Sequence, residues 1–559
     1  PLPGDGDKMA AGPRREAARF TGAGQCPGFG QTHGAGHYPG FGQTPGAGQC
    51  PGLGQTPGAG RYMTPVLLGF AVLLLSRYLL KRRVRERCKL PPGPTCWPLI
   101  GSLLSLARRP GSRSRLPPHL YLTALGKTYG EICRLYLGRR LMIILNGFQV
   151  VRDALQHNAE VFSDRPTIPL ITIITKRKGI VFAPYGLVWK QQRKFSLSTL
   201  RHFGFGKLDL EPKIIEELQF VKSEFSNAIG TAFSPSHVIH NAVSNIICSM
   251  CFGKRFDYDD EEFRTMLNLI VRGMKLASNS SAMLINVIPL LQYLPLGSFK
   301  EVAQTVKDVT AFLKNIIDQH RKTMDPENPR DFVDFYLKEI DYQRHKKQNT
   351  SFSEDYLFYI IGDLFVAGTD TTSNTLLWAI LFMAAHPEIQ ERVHKEISTV
   401  IGESRPPSLK DKLHMPFTEA TIMEIQRMTT VVPLAIPHMA SETVDFKDYT
   451  IPKGSMVVAN LWSVHRDPSM WEHPDEFNPS RFLSADGNIV KNEAFMPFGI
   501  GKRICMGEQM AKMELFLIFS TLLQSFCFKL PEGTDAPNMA GQFGLTLSPH
   551  PFKIIPVMR

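Results

Sequence analysis

The order of apolar and polar positions predicts a chain that is mainly helical, with a few short strands. Long stretches of helical periodicity alternate with short apolar runs such as Leu141–Leu145, and the longest helical pattern extends from about Glu354 to Ala385. The last segment, Leu545–Val557, has a composition typical of strands and turns. We therefore expect a mainly α fold with small β-sheets (α+β), in which residues 99–559 form a single large domain.

The region before residue 99 has a different pattern. Residues 1–62 are rich in Gly, Pro and Gln and repeat a unit of twelve residues, so we expect a disordered extension. Residues 63–80 are mostly apolar and predict an uncleaved signal-anchor helix, with an interfacial amphipathic helix as the alternative. Residues 81–98 are basic and then proline-rich, which predicts a stop-transfer signal followed by a stiff hinge.

Charge and cysteine content narrow the class of protein. The chain has a net charge of +13, of which residues 1–90 contribute +8. A basic excess beside an apolar segment is typical of membrane topology with a cytosolic domain, so we expect no nucleic-acid partner.

Nine cysteines are too few and odd in number for a disulfide framework. We expect Cys248 and Cys251 to be buried thiols on an apolar helix, not zinc ligands.

The strongest chemical signal is the loop 498–507, with the sequence FGIGKRICMG. Cys505 lies between two glycines, just before a helical pattern that begins at Glu508. A helix N-terminus and backbone N–H groups stabilise a thiolate, and glycines let the backbone approach a flat cofactor closely. A thiolate ligand to haem iron favours cleavage of the O–O bond. We therefore expect Cys505 to be a metal ligand.

The pattern F-x-x-G-x-R-x-C-x-G resembles the haem-binding signature of cytochrome P-450 enzymes, and the resemblance extends over about residues 88–559. It implies the P-450 fold, with haem b (iron protoporphyrin IX) between two central helices. The sequence AGTDTT at 367–372 resembles the oxygen-activation motif of the family, which implies that Asp370 and Thr371 relay protons to dioxygen. On its residues alone, this motif also fits a polar kink in a core helix.

The same resemblance implies roles for further residues. Glu424, Arg427 and Arg481 are expected to form a buried ionic network behind the cofactor. The residues expected to contact haem, mostly through its propionates, are Trp189, Arg193, His438, Arg503, Phe498, Gly499 and Lys176. Considered one at a time, ordinary packing or surface charge explains each of these residues as well.

Other segments resemble the microsomal family 2, and LITIITKRKGIVFA and VVPLAIPHM resemble its subfamily U. This likeness implies ω or ω−1 hydroxylation of long-chain fatty acids such as arachidonate. It also implies the endoplasmic reticulum membrane, with the catalytic domain in the cytosol, and the mitochondrial inner membrane as a second location. Three alternatives stay open: a monooxygenase of xenobiotics or steroids, an isomerase or dehydratase that needs no external electrons, and a non-catalytic haem protein.

Partners and substrate contacts follow from the same comparison. The sequence has no evident flavin- or dinucleotide-binding module, so the resemblance implies NADPH–cytochrome P-450 reductase, with cytochrome b5 as a second electron donor. Basic residues expected to face an acidic reductase surface are Lys190, Arg193, Lys194, Arg201 and Lys502. Candidate pocket segments are Ile168–Thr175, Asp363–Ala367, Val432–Ile436 and Phe543–Leu547.

Two further expectations concern lipid. The apolar segment Leu284–Leu296 is expected to contact membrane lipid, or alternatively to form a buried helix pair. Lys176 and Arg177 are cations near a candidate pocket segment, where they would attract the carboxylate of a fatty acid.

Overall fold

A computed structural model describes most of the chain from Lys89 to Arg559. The described residues are 69, 72, 76, 89–97, 101–102, 116–204, 210–278, 284–286, 288–294, 297–346, 350–533 and 536–559. The expected extension 1–62, most of the anchor segment 63–80 and the basic run at 81–88 lie outside them. The chain divides into two units, Pro1–Arg77 and Tyr78–Arg559, and nearly all of the described residues belong to the second. Within the described part, no helix is both long and apolar enough to cross a bilayer.

The second unit is mainly α-helical, as the sequence predicts. Its α-helices are α1 (Pro118–Tyr129), α2 (Phe148–Arg152), α3 (Ala159–Phe162), α4 (Pro169–Thr175), α5 (Leu187–His202), α6 (Glu211–Asn227), α7 (Ser236–Cys251), α8 (Glu261–Ser278), α9 (Gly297–Thr323), α10 (Phe332–His345), α11 (Glu354–Ala385), α12 (Pro387–Val400), α13 (Pro416–Thr429), α14 (Leu461–Val464) and α15 (Glu508–Ser525). A wider π-helical turn, Asp153–His157, continues α2.

The strands are short and form small sheets. They are β1 (Ile132–Leu137), β2 (Arg140–Leu145), β3 (His438–Met439), β4 (Val444–Phe446), β5 (Tyr449–Ile451), β6 (Met456–Ala459), β7 (Phe526–Lys529), β8 (Gln542–Phe543), β9 (Leu547–Ser548) and β10 (Ile555–Met558). One mixed sheet has the order β1-β2-β6-β3, in which β2 and β6 are parallel. The pairs β7–β10, β4–β5 and β8–β9 are antiparallel.

The longest helix, α11, has the bounds that the hydrophobic pattern predicts. It begins after Ser353, whose side chain accepts a hydrogen bond from the N–H of Tyr356 at 3.2 Å and so caps the first turn. Its C-terminal half is buried on every face, as expected of a helix that is apolar all round. α11 packs against α7, α13 and α15, so its middle lies among the helices of this unit.

α11 packs closely against α7 at a glycine. A Cβ atom at Gly368 would lie 2.6 Å from Cδ1 of Ile247 on α7, so a larger residue here would require the end of the Ile247 side chain to move. Cys248 and Cys251 lie on α7 and are fully buried, as predicted. Burial raises the pKa of both thiols, which is consistent with inert core residues.

The proline-rich hinge is anchored to the first strand. The carbonyl of Pro92 accepts a hydrogen bond from the N–H of Arg134 at 2.8 Å, and the Arg134 side chain donates to the carbonyl of Pro91. Gly93 lies so close that a Cβ atom would be 2.1 Å from the carbonyl oxygen of Arg134. The segment Pro91–Trp97 therefore lies against β1 in a defined path.

Candidate active site

A cavity of about 340 Å³ lies between the middle of α11 and the loop that precedes α15. Cys505 lines it from the loop, and Asp370 and Thr371 line it from α11. The sequence places these residues more than a hundred positions apart, and the fold brings them to opposite walls of one space. Most other lining side chains are aliphatic or aromatic, which is typical of a ligand site with few polar anchors.

The loop around Cys505 is held by its own backbone. The N–H of Cys505 donates to the carbonyl of Phe498 at 3.0 Å, and the turn Gly501–Arg503 lies between them. The thiol is open to the cavity although protein surrounds it, and this burial raises its pKa. The backbone N–H groups of Gly507 and Glu508 counteract that rise. These N–H groups, at the start of α15, favour a thiolate at this position.

Gly501 fixes where this loop lies. Its φ angle is +78°, and a Cβ atom there would lie 1.8 Å from the carbonyl oxygen of Leu155. Leu155 belongs to the turn Asp153–His157, in which the N–H of Asn158 donates to the carbonyl of Asp153 at 3.0 Å. The loop and this wider turn therefore touch, backbone against backbone.

Several of the residues expected to contact haem surround one end of the cavity. Arg193, Arg503, His438, Phe498 and Gly499 are among its lining residues. Trp189 is buried behind them, with the Arg503 guanidinium 4.1 Å from its ring centroid. The indole N–H of Trp189 donates to the carbonyl of Ile180 at 3.0 Å. The same carbonyl accepts from Arg503, which also donates to the carbonyls of Ser163 and Ala183.

His438 lies at the start of β3 and is almost fully buried. Its Nδ1 is 2.7 Å from the carbonyl of Phe162, an arrangement in which Nδ1 carries the hydrogen. Burial, followed by the positive charge of Arg165, holds the pKa of His438 well below its usual range. The imidazole is therefore neutral at physiological pH.

Lys176 is placed differently from the other candidates. It ends α4 in the left-handed conformation, with φ +46°, and its side chain is exposed. It lies outside the described lining of the cavity, as do all residues of the candidate pocket segment Ile168–Thr175. The other three candidate segments each contribute lining residues, among them Asp363, Ile436 and Thr546.

Arg165 is a lining residue that the motifs did not predict. It is buried and donates to the carbonyls of Val181, Ile436 and Pro437 at 2.7–2.9 Å. Burial, and then the charge of Arg503, lowers its pKa.

Three arginines thus face one end of the cavity, since Arg193 lines the same end. Asp164 is the acidic residue whose charge acts on both Arg165 and Arg503. This excess of positive charge fits an anionic group, as the propionates of haem are, with Cys505 available to the iron.

The wall formed by α11 combines hydroxyl groups, which donate to the backbone of the helix itself, with an acid group. The hydroxyl of Thr371 donates to the carbonyl of Ala367 at 2.7 Å, and Thr375 donates in the same way to Thr371 at 2.8 Å. Such back-bonding is known to bend helices. The carboxyl of Asp370 accepts a hydrogen bond from Thr546 at 2.6 Å, and burial raises its pKa.

Two further acids line the cavity: Asp363, which belongs to a predicted pocket segment, and Glu514, which no motif predicted. Asp363 accepts hydrogen bonds from the N–H groups of Ile180 and Val181 at 2.6 and 2.9 Å, and burial raises its pKa to about 6. Glu514 on α15 is fully buried, and its Oε1 atom has no hydrogen-bond partner among the described residues. A hydrogen bond from Thr372 does not offset this burial, which raises the pKa of Glu514 to about 8.

The buried carboxyl of Glu514 gives a testable pH dependence. It binds its proton more tightly in the folded chain, with a pKa of about 8, than at its ordinary value of 4.5. The free energy of unfolding therefore falls as the pH rises from 4.5 to about 8. We expect Glu514→Gln to lose less thermal stability than the wild type between about pH 6 and about pH 8.5. Unfolding midpoints of the two haem-loaded proteins test this, and an equal loss in both would contradict it.

The structure brings Glu424, Arg427 and Arg481 together. Arg427 donates to both carboxylate oxygens of Glu424, at 2.7 and 2.9 Å, and Arg481 donates to one of them at 2.9 Å. Glu424 and Arg427 are fully buried. Arg427 also donates to the carbonyls of His465 and Pro474, each at 2.7 Å. The network thus ties α13 to the segment that follows α14.

The basic residues expected to face a reductase are exposed with one exception. Arg193 is half-buried and lines the cavity, whereas the exposed residues are Lys190, Lys194, Arg201 and Lys502.

The apolar segment between α8 and α9 is partly exposed. Within it, Leu290 and Tyr293 are 74% and 76% exposed. The alternative of a buried helix pair is therefore wrong for the described part of this segment, which forms two short 3₁₀ turns.

Comparison with known proteins agrees with this geometry. A family model described as Cytochrome P450 matches residues 91–556. Cytochrome P450 2U1 of Homo sapiens is 54% identical over 505 residues, which cover 88% of this chain and 92% of that protein. Cytochrome P450 2U1 of Rattus norvegicus is 55% identical over 500 residues, covering 88% and 94%. Cytochrome P450 2D6 of Homo sapiens is 38% identical over 501 residues, covering 89% and 99%.

These matches extend across the fold described above and include the loop around Cys505. They confirm the resemblance to subfamily U of family 2. The chain belongs to the cytochrome P450 family of haem monooxygenases.

Proposed function

We propose that this chain hydroxylates long-chain fatty acids at the terminal carbon or next to it, using O₂ and electrons from NADPH that a reductase delivers. The observation that carries the proposal is the cavity, which has Cys505 on one wall and Asp370 and Thr371 on the other. The rest of its lining is mainly apolar. Such a lining suits an acyl chain, because the apolar surface of the acyl chain is buried against it on binding.

The residues at the arginine-rich end suit haem b. Cys505 would hold the iron, and the bound haem supplies the activation of dioxygen. Arg165, Arg193 and Arg503 would hold the propionates through charge-assisted hydrogen bonds. His438, whose Nδ1 is fixed by the Phe162 carbonyl, would present Nε2 at the same end, where it would donate to a propionate only when the imidazole is protonated.

Asp370 and Thr371 are the groups we assign to proton delivery. They lie side by side on α11 and both line the cavity. A hydroxyl exchanges one proton for another, and burial raises the pKa of Asp370, which brings its carboxyl closer to the pH at which it both accepts and donates protons. The relay explains why a monooxygenase is favoured over an isomerase, which consumes no protons in reducing dioxygen.

Replacing Thr371 with alanine should separate electron consumption from product formation. We expect the variant to take up haem normally but to release reducing equivalents as hydrogen peroxide, with product per NADPH reduced about tenfold or more. The measurement is the ratio of hydroxylated product and of peroxide to NADPH consumed. Thr371→Ser, which keeps a hydroxyl, serves as the matched control. Full coupling in the alanine variant would remove Thr371 from proton delivery.

The fatty-acid carboxylate does not need a cation close to the iron. Oxidation at the terminal carbon places the carboxylate at the far end of the substrate, away from Cys505. Lys176 and Arg177 lie outside the described lining of the cavity, and Arg177 is engaged by Thr167 and by the carbonyl of Arg165. We therefore assign recognition mainly to the apolar wall.

We assign NADPH–cytochrome P-450 reductase as electron donor, cytochrome b5 as a second donor, and the endoplasmic reticulum membrane as the location. The exposed cations Lys190, Lys194 and Lys502 support docking of an acidic partner, which charge complementarity would accelerate. The exposed apolar side chains Leu290 and Tyr293 support contact with membrane lipid.

A reconstituted assay tests the proposal. Purified haem-loaded protein, reductase and NADPH are incubated with a panel of long-chain fatty acids, steroids and xenobiotic amines, and products are identified by mass spectrometry. We expect ω or ω−1 hydroxylated fatty acids that form only with reductase and NADPH. Hydroxylation of steroids or xenobiotics alone would contradict the assigned substrate class. Conversion of fatty-acid hydroperoxides without reductase would contradict the reaction class.

A further inference from the structure

The β8–β9 hairpin is fastened to one face of α11. Asp370, Asn374 and Trp378 follow one another at intervals of four residues, so their side chains lie along the same side of the helix. Thr546 donates to Asp370 at 2.6 Å, and Asn374 donates to the Thr546 hydroxyl at 3.1 Å. The indole N–H of Trp378 donates to the carbonyl of Leu547 at 2.9 Å. Successive turns of α11 therefore bind successive parts of the hairpin.

Packing on other sides leaves the hairpin little freedom. A Cβ atom at Gly541 would lie 2.9 Å from the Trp378 ring, so hairpin and helix are in direct contact. The Phe543 ring stacks on His119 of α1, with ring centroids 5.4 Å apart. The N–H of Leu547 donates to the carbonyl of Val431 at 2.8 Å. The tip of the hairpin is thus held in place, and its Leu545 and Thr546 line the cavity.

We propose that Thr546 is a positioning residue for Asp370, which holds the carboxyl group in the orientation from which it delivers protons. The inference rests on the proposed function, in which Asp370 belongs to the proton relay. Thr546 is 92% buried, so its hydroxyl has few partners to choose from, and Asn374 orients it by donating to its oxygen. The hydroxyl hydrogen is consequently directed at Asp370.

The surroundings of Asp370 set the direction of the expected effect. Burial raises the pKa of Asp370, and the hydrogen bond from Thr546 acts against this rise. His240 of α7 and Asn374 of α11 also lower that pKa. Removing the Thr546 donor therefore raises the pKa of Asp370, so that the carboxylate is lost at a higher pH than in the wild type.

The test compares Thr546→Val, which has nearly the same shape without a hydroxyl, with Thr546→Ser, which keeps the hydroxyl. We expect the valine variant to lose about tenfold in product per NADPH, the loss expected for one charge-assisted hydrogen bond. In the valine variant, the fall in product per NADPH on the acid side of the pH profile should occur at a higher pH than in the wild type. In the serine variant, both the product per NADPH and its dependence on pH should be close to those of the wild type. Thr521→Val is the matched control, because Thr521 is also buried, its hydroxyl has no hydrogen-bond partner among the described residues, and it lies outside the cavity lining.

The experiment tests the role of Thr546 separately from the proposed hydroxylation of fatty acids. Substrate-binding difference spectra and the carbon monoxide spectrum of each variant show, without turnover, whether haem and substrate are still bound. If the wild type forms no product with reductase and NADPH, the proposed function fails. If the wild type turns over and Thr546→Val shows the same coupling and the same dependence on pH, the role of Thr546 is overturned. A defect that serine does not relieve would also overturn it.

Discussion

Replacing Cys505 with alanine should abolish the red-shifted carbon monoxide spectrum that thiolate ligation gives to the reduced haem protein. The loop holds the Cys505 thiol open to the cavity, and backbone N–H groups of Gly507 and Glu508 support its negative charge. Alanine has no atom that binds iron, so both the spectrum and NADPH-dependent hydroxylation should be lost entirely. The measurement is a difference spectrum of the reduced, carbon monoxide-treated protein.

Cys527→Ala is the matched control for this experiment. Cys527 lies on β7, is partly buried and is outside the cavity lining, so its loss should leave the spectrum unchanged. An unaltered spectrum in the Cys505 variant would place the iron ligand elsewhere and would remove the basis of the proposed chemistry.

Replacing Glu424 with alanine should have the second-largest effect, and it acts through folding. The change leaves the buried guanidinium of Arg427, and that of Arg481, without their carboxylate partner. Breaking a buried ion pair costs about 3–5 kcal/mol, a large share of the ~5–15 kcal/mol that stabilises a typical protein. We expect a severe loss of haem-loaded protein and a strongly lowered unfolding temperature in whatever is recovered.

An exposed ion pair provides the comparison. Arg264 and Asp259 form a salt bridge on the surface, with side chains 52% and 92% exposed. Surface pairs contribute little, so Arg264→Ala should behave like the wild type in yield and unfolding temperature. If Glu424→Ala were as stable as Arg264→Ala, the network of α13 would not be needed for the fold.

Hydrophobic periodicity was sufficient to predict the elements that matter most for the site. The bounds of α11 and the start of α15 follow from it, because both helices are long and strongly apolar. Local spacing was also informative. Glu424 and Arg427 are three positions apart on one helix, so their contact depends on a single turn of α13. Cys505 could be singled out as the candidate iron ligand because the signature around it has several neighbouring residues in a fixed order.

Contacts between single residues that are far apart in the chain were not predictable in this way. Thr546 and Asp370 are 176 positions apart, and Arg165 is 271 positions from the carbonyl of Ile436. Thr546 lies in a candidate pocket segment, but nothing in the sequence pairs it with Asp370, and nothing around Glu514 marks that residue as a polar group in an apolar cavity. Their positions depend on how the β8–β9 hairpin and α15 pack against α11, which is a property of the whole fold. Lys176 is the opposite case, because the resemblance implies a contact with haem but the residue lies outside the described lining of the cavity.

The contact between Gly501 and Leu155 limits how the loop can evolve or be engineered. A library of substitutions across 498–507 should yield haem-binding clones at Lys502, whose side chain is exposed to solvent. Position 501 should accept nothing but glycine, because even a methyl group would collide with a carbonyl that belongs to a different part of the chain. Mutational tolerance at this loop is therefore set partly by the turn Asp153–His157, and a compensating change would have to be sought there.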